Sequence, residues 1–155
     1  MAREDIIRMV ITVGLCLGVG FIAGRFEPGQ WYRELAKPSW TPPGWIFAPV
    51  WITLYILMGL AAWLVWRKAG MSAAAIPLAI FLIQLLLNGL WSYIFFGRHE
   101  MGLAFAEIII LWAFILVTMI LFWQRQNLAG IFILPYFLWV SFAAFLNYSI
   151  WQLNK

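Results

Sequence analysis

The chain has 155 residues, 65% of them hydrophobic and 10% charged, with a formal net charge of +4. Soluble domains hold roughly 45–50% apolar and about 25% charged residues, so a water-soluble fold of this length is excluded and lipid has to act as solvent. The basic residues stand singly at the ends of apolar runs, which removes nucleic acid as a partner. One cysteine and one histidine leave no ligand set for a metal site and no internal disulfide.

The first apolar run, residues 9–24, reaches spanning length only with Ile6 and Ile7, and predicts a helix over 5–24. Arg3 and Arg8 ahead of it also fit a cleavable signal peptide, against which Glu4 and Asp5 weigh. The run carries Gly14-x-x-x-Gly18 and Gly20-x-x-x-Gly24, close-approach motifs. Packing inside the bundle is the first expectation for them and a dimer seam the second. Cys16 reads as inert core filler. Residues 25–44 follow, a long Pro-rich connection of a length that compact bundles keep only for a use.

Residues 38–66, 69–97 and 126–154 contain no Asp, Glu, Lys or Arg, and each exceeds the roughly 20 residues needed to span hydrocarbon. They predict helices over 45–66, 72–97 and 128–153. The second helix places Trp51, Tyr55 and Met58 on one stripe. The third places Gln84, Asn88 and Ser92 at i, i+4 and i+8 with Trp91 beside them. His99, between Arg98 and Glu100, sits in a tight connection and is expected in solvent. The fourth helix, 101–124, carries Glu107 about two turns from its start, where snorkelling or a partner near the interface is expected. The fifth aligns Tyr136, Trp139, Ala143 and Asn147, and Pro135 should kink it and free a carbonyl near Ile131.

The fold expected is therefore all-α and integral to the membrane. One domain covers residues 1–155 as a five-helix bundle, with a long structured loop between helices 1 and 2. A closed barrel is excluded because stretches such as 108–112 are apolar on every face. Five crossings put the termini on opposite sides. The ten basic residues divide five against five, so they assign no orientation.

The polar stripes admit two readings. Gln84, Asn88 and Asn147 pin helices together by hydrogen bonds, or they orient a ligand in a cavity with aromatic walls. Trp and Tyr also gather at lipid interfaces, which accounts for many of the 11 tryptophans. No hydrolytic triad, phosphate loop or metal cage is visible.

At residues 31–45, WYRELAKPSWTPPGW, the chain resembles the TspO / translocator-protein family, also called tryptophan-rich sensory or peripheral-type benzodiazepine receptor proteins. A WY pair followed by KPxWxPP matches at Trp31, Tyr32, Lys37, Pro38, Trp40, Pro42 and Pro43. Trp51 and Tyr55, Asn88 with LWSYIFFG (90–97), LPYFLW (134–139) and Asn147 follow in order. The resemblance covers about residues 24–151. It implies five transmembrane helices around one ligand cavity closed by the first loop, and a homodimer. Family members bind tetrapyrroles such as protoporphyrin IX, and many bind sterols and benzodiazepine-site drugs. The pocket positions carry over to Trp31, Tyr32, Pro42, Trp51, Tyr55, Asn88, Trp91, Ser92, Trp139, Ala143 and Asn147. The animal sterol motif does not match: six residues separate Tyr148 from Lys155, one too many.

The function expected is a membrane receptor or transporter of porphyrins, in tetrapyrrole transport or stress sensing, with no obligatory cofactor. Trp51, Trp91 and Trp139 would stack on the macrocycle. Arg25, Arg33 and Lys37 would meet its propionates at the mouth, while Asn88 and Ser92 donate inside. The alternative is an enzyme for light-dependent porphyrin degradation with Trp51 and Trp139 as the reactive indoles. A third class is a stress-linked membrane partner without ligand chemistry.

Overall fold

A single residue reverses the chain at the centre of its longest helical run. The computed structural model describes residues 3–155 and contains four helical runs long and apolar enough to cross a bilayer: Arg3–Ala23, Gly44–Gly97, Met101–Arg125 and Asn127–Leu153. At 1.5 Å per residue the second run, 54 residues, would measure about 80 Å, far beyond a hydrocarbon core of about 30 Å. It breaks at Gly70, whose φ of 71° and ψ of 168° lie in a region open essentially only to glycine. Two cross-links show what the break does. Tyr55 bonds Asn88, and Gln84 bonds Met58, so both pairs are centred on residues 71–72. The two halves form an antiparallel hairpin.

The long helices are thus α1 (Arg3–Ala23), α3 (47–69), α4 (71–92), α5 (Met101–Arg125) and α6 (Asn127–Leu153), with a short α2 (Gln30–Glu34) between the first two. A π-helical turn, Tyr93–Gly97, extends α4, and a 3-10 turn, Gly44–Ile46, precedes α3. No strand occurs among the described residues. The sequence places a connection at 67–71, whereas helix continues through Arg67, Lys68 and Ala69 to Gly70. These are good helix formers, and only glycine supplies the reversal. The helical run of α6 passes through Pro135 unbroken.

The termini lie at opposite ends of the bundle. Asp5 pairs with Arg67 at 3.4 Å, which puts the start of α1 beside the hairpin tip. Asn154, beyond α6, bonds Ala36 in the connection that follows the other end of α1. The core runs along the bundle axis through Cys16, Met58, Val65, Ile115, Phe122, Ile133 and Tyr136, all fully buried.

Glycines decide how α1 docks. A Cβ on Gly59 would lie 2.5 Å from Val13 Cα and 2.9 Å from Val13 N, so α1 and α3 meet backbone to backbone. A Cβ on Gly20 would lie 2.5 Å from the Tyr55 ring, so that glycine makes room for a side chain the cavity uses. Gly14 and Gly18 behave otherwise: nothing lies within 4 Å of either position. Their expected packing inside the bundle is not what the structure shows. They face outward among exposed Val10, Ile11, Leu15 and Phe21, because Thr12, Cys16 and Ala23 take the inward stripe of α1.

Glu107 also departs from expectation. It is 7% exposed, and both carboxylate oxygens are buried with no hydrogen-bond partner among the described residues. It neither snorkels nor pairs, because its place beside Ala104, Ile108 and Leu111 turns it toward the packed side of α5.

Candidate functional site

A cavity of about 960 Å³ occupies one end of the bundle under residues 26–44, at the upper end of small-molecule pockets. Each helix around it contributes the stripe that its sequence spacing marks. Trp51 and Tyr55 come from α3, and Asn88, Trp91 and Ser92 from α4. Trp139, Ala143 and Asn147 come from α6, and Tyr32 and Pro42 from the connection above. Trp31 is the exception. It lies outside the lining and stacks on His99 at 4.1 Å between ring centroids, with its edge toward Phe95. His99 is exposed, as expected, yet it is held by this stack at a positive φ of 59°.

From Tyr55 and Asn88 on the cavity wall a chain of hydrogen bonds with one polarity runs into the core. The Met58 sulfur can only accept, so Gln84 turns its amide nitrogen toward it, at 4.0 Å, and its oxygen toward Tyr136. The Tyr136 hydroxyl donates to that oxygen at 2.8 Å and accepts from Asn88 Nδ2 at 3.0 Å. Asn88 Oδ1 in turn accepts from the Tyr55 hydroxyl. Three helices are joined by this chain at the level where lipid offers no alternative partner. A second pair closes the other wall: the Trp91 indole donates to Asn147 Oδ1 at 3.0 Å, and Asn147 Nδ2 donates to the Met101 carbonyl at 3.0 Å. Asn88 and Asn147 therefore both line the cavity and pin helices.

One polar atom on this wall lacks a partner. Trp139 Nε1 is buried with no acceptor among the described residues, while its ring packs against Phe47 and Phe142. Such a donor in a dry wall is costly unless a ligand or water accepts from it. Trp51 sets its ring against Tyr55 at 5.6 Å and edge-on to Tyr136 at 6.2 Å. Trp91 stacks on Phe95 at 5.0 Å. The walls are flat apolar faces with few polar atoms among them.

The mouth carries two cations and one acid, Glu27. Arg33 and Lys37 border the cavity; Arg25 does not, and instead lies over the Phe21 ring at 6.0 Å. The Lys37 amine donates to the carbonyls of Arg33 and Leu35 and rests 4.8 Å above the Tyr32 ring. Burial pushes the Tyr32 phenol above its ordinary value, which keeps it a neutral donor at the rim. Among the described residues no cluster of His, Cys, Asp and Glu could hold a metal ion.

Sequence spacing alone did not single out wall residues such as Phe47, Phe95 and Phe96, and it left two roles unassigned. Gln84 was marked as polar stripe, but its part in fixing the direction of the hydrogen-bond chain needs Met58 and Tyr136 in space. The role of Gly20 in seating Tyr55 has no signal beyond its place in a small-residue motif.

A family model described as TspO/MBR family matches residues 12–152. The chain is 41% identical to the tryptophan-rich protein TspO of Chlorobaculum tepidum, covering 98% of this chain and 99% of that protein. It is 38% identical to the human translocator protein, over 99% and 94% of the two chains. It is 40% identical to the tryptophan-rich sensory protein of Cereibacter sphaeroides, over 83% and 79%.

Proposed function

The chain belongs to the TspO/MBR family and is an integral, multi-pass membrane protein, and on that premise we propose that it binds porphyrin-type tetrapyrroles in its cavity, for transport or sensing. One observation carries this reading: flat aromatic walls at Trp51, Trp91 and Trp139 under a mouth bearing Arg33 and Lys37. A planar macrocycle stacks on such faces, its carboxylates meet the cations, and a ring or carboxylate acceptor satisfies Trp139 Nε1. The relatives' names, translocator and sensory protein, describe carriage or signalling and no reaction.

Titration of purified protein with protoporphyrin IX in darkness tests it. Saturable, stoichiometric binding is expected, and Trp51→Phe or Trp139→Phe should weaken it about 2- to 12-fold, the equivalent of roughly 0.5–1.5 kcal/mol. Binding that never saturates would overturn the reading.

The buried indole of Trp139, without a partner among the described residues, favours one further reading, an enzyme that degrades porphyrin in light. Phe keeps the aromatic face but resists oxidation. On fully occupied protein, complete loss of light-driven porphyrin decay in both Phe variants would establish the enzyme, provided wild type makes a defined product over many turnovers. Partial loss is the outcome expected of a receptor whose excited ligand oxidises any nearby indole.

The outward Gly14/Gly18 face of α1 is the proposed seam of a homodimer, where two backbones approach closely. Gly14→Leu with Gly18→Leu should leave thermal stability of the protomer within about 0.5 kcal/mol and convert dimers to monomers on size exclusion. A dimer that survives both changes places the seam elsewhere.

A further inference from the structure

Among the described residues, the stretch above the cavity is tied to the bundle by hydrogen bonds at one residue only. Residues 27–42 carry Tyr32, Arg33, Lys37 and Pro42 to the mouth. Their hydrogen bonds are local: Gln30 to Glu34, Arg33 to Gly29, Lys37 to Arg33 and Leu35, and Thr41 to Pro38. The exceptions are a reciprocal pair. The Ala36 amide donates to Asn154 Oδ1 at 3.0 Å, and Asn154 Nδ2 donates to the Ala36 carbonyl at 2.9 Å. Asn154 spends its other N–H on the Ile150 carbonyl at 2.8 Å, so its own orientation is fixed by the end of α6.

The remaining contacts of this stretch are apolar and mostly aromatic: Trp31 on His99 and Phe95, Tyr32 on Phe95 and Phe96, Trp40 on Phe142 and Phe145, and Leu35 against the cluster of Phe95 and Ile150. Stacked and edge-on rings tolerate sliding and carry no strict register, whereas paired hydrogen bonds to the N–H and C=O of one residue do. Ala36 lies between Arg33 and Lys37, the two cations at the mouth. Asn154 itself lines no part of the cavity.

We propose that Asn154 is a positioning residue: by clasping the backbone N–H and C=O of Ala36 it holds Arg33 and Lys37 over the cavity and sets how fast a carboxylate-bearing ligand enters and leaves. The inference rests on the reading of the cavity as a ligand site. The clasp holds the lid register without touching ligand, so its loss acts on exchange rates in both directions more than on affinity.

The test uses full-length protein with protoporphyrin IX in darkness, exchange followed by stopped-flow fluorescence, and amide hydrogen exchange across residues 32–37. In Asn154→Ala, association and dissociation rate constants should both rise on the order of 10-fold, the worth of two net hydrogen bonds. The Ala36 amide should exchange faster by a similar factor. A disulfide between Ala36→Cys and Asn154→Cys should slow both rate constants, and reductant should restore them; Cys16 is fully buried and does not interfere. Unchanged rates and unchanged Ala36 exchange in a folded Asn154→Ala protein overturn the clasp. A lowered thermal midpoint with unchanged rates from the folded fraction overturns it too, since that marks a merely structural cap. If wild type binds no protoporphyrin, the cavity reading has failed, and the amide exchange alone decides the clasp.

Discussion

Gly59→Leu is expected to prevent α1 from docking. A Cβ there falls 2.5 Å from the Val13 Cα and 2.9 Å from its nitrogen, atoms of a helix backbone that no rotamer change can move. Overpacking a core typically costs about 1–3 kcal/mol when side chains can yield, and here the obstacle is main chain, so the loss should exceed roughly 3 kcal/mol. α1 would have to withdraw along its whole length. That withdrawal would also strip Gly20 from the Tyr55 ring and open the cavity wall that α1 supplies. Thermal unfolding in detergent, compared with Gly14→Leu as the open-space control, reads the effect. Equal midpoints for the two variants would mean that the close approach of α1 and α3 is not a determinant of stability.

Tyr136→Phe should be the most damaging single-atom change. The lost hydroxyl serves two neighbours at once, accepting from Asn88 and donating to Gln84. Both are almost wholly buried, at 4% and 0% exposed, so Asn88 Nδ2 and Gln84 Oε1 each lose the partner they have. An average interhelical hydrogen bond in a membrane contributes only about 0.6 kcal/mol, but orphaning a buried group costs about 1–3 kcal/mol. Two orphans put the expected loss at roughly 2 kcal/mol or more. Asn88→Leu should cost less stability although it replaces two polar atoms rather than one. It leaves Tyr136 donating to Gln84 and releases only the hydroxyl of Tyr55, a residue that lines the cavity. Its larger effect should be on ligand affinity. Paired thermal and dark-binding measurements on the two variants check the order, and Asn88→Leu emerging as the less stable protein would refute the argument.

The helices were legible because their signal is additive: charge-free stretches longer than a bilayer is thick leave no other reading. The inward stripes were legible for the same reason, since Gln84, Asn88 and Ser92 cannot face lipid without cost. Ten of the eleven pocket positions line the cavity; Trp31 does not, because its ring is taken by His99. What the chain could not reveal alone depends on which neighbour occupies a given space. Gly14 and Gly18 form the same motif as Gly20 and Gly24, yet only Gly20 meets another helix's side chain. Asn88 reads equally as ligand donor or helix pin until Tyr55 and Tyr136 are seen on either side of it. Glu107 reads as an interfacial acid because its distance from the helix start is visible while the packing over it is not.

The reversal at Gly70 bears on how the protein reaches its membrane. With one non-helical residue between α3 and α4, no aqueous segment separates their arrival at the bilayer. Each alone brings polar groups into hydrocarbon: Tyr55 on one, Gln84 and Asn88 on the other. Together they satisfy one another, Tyr55 with Asn88 and Gln84 with Met58. Partitioning as a hairpin is therefore favoured over threading one helix at a time, and Arg67 and Lys68 at its tip give the pair a charged end that resists sinking into the lipid. A one-residue connection of this kind thus favours entry of its two helices into the membrane as a single unit.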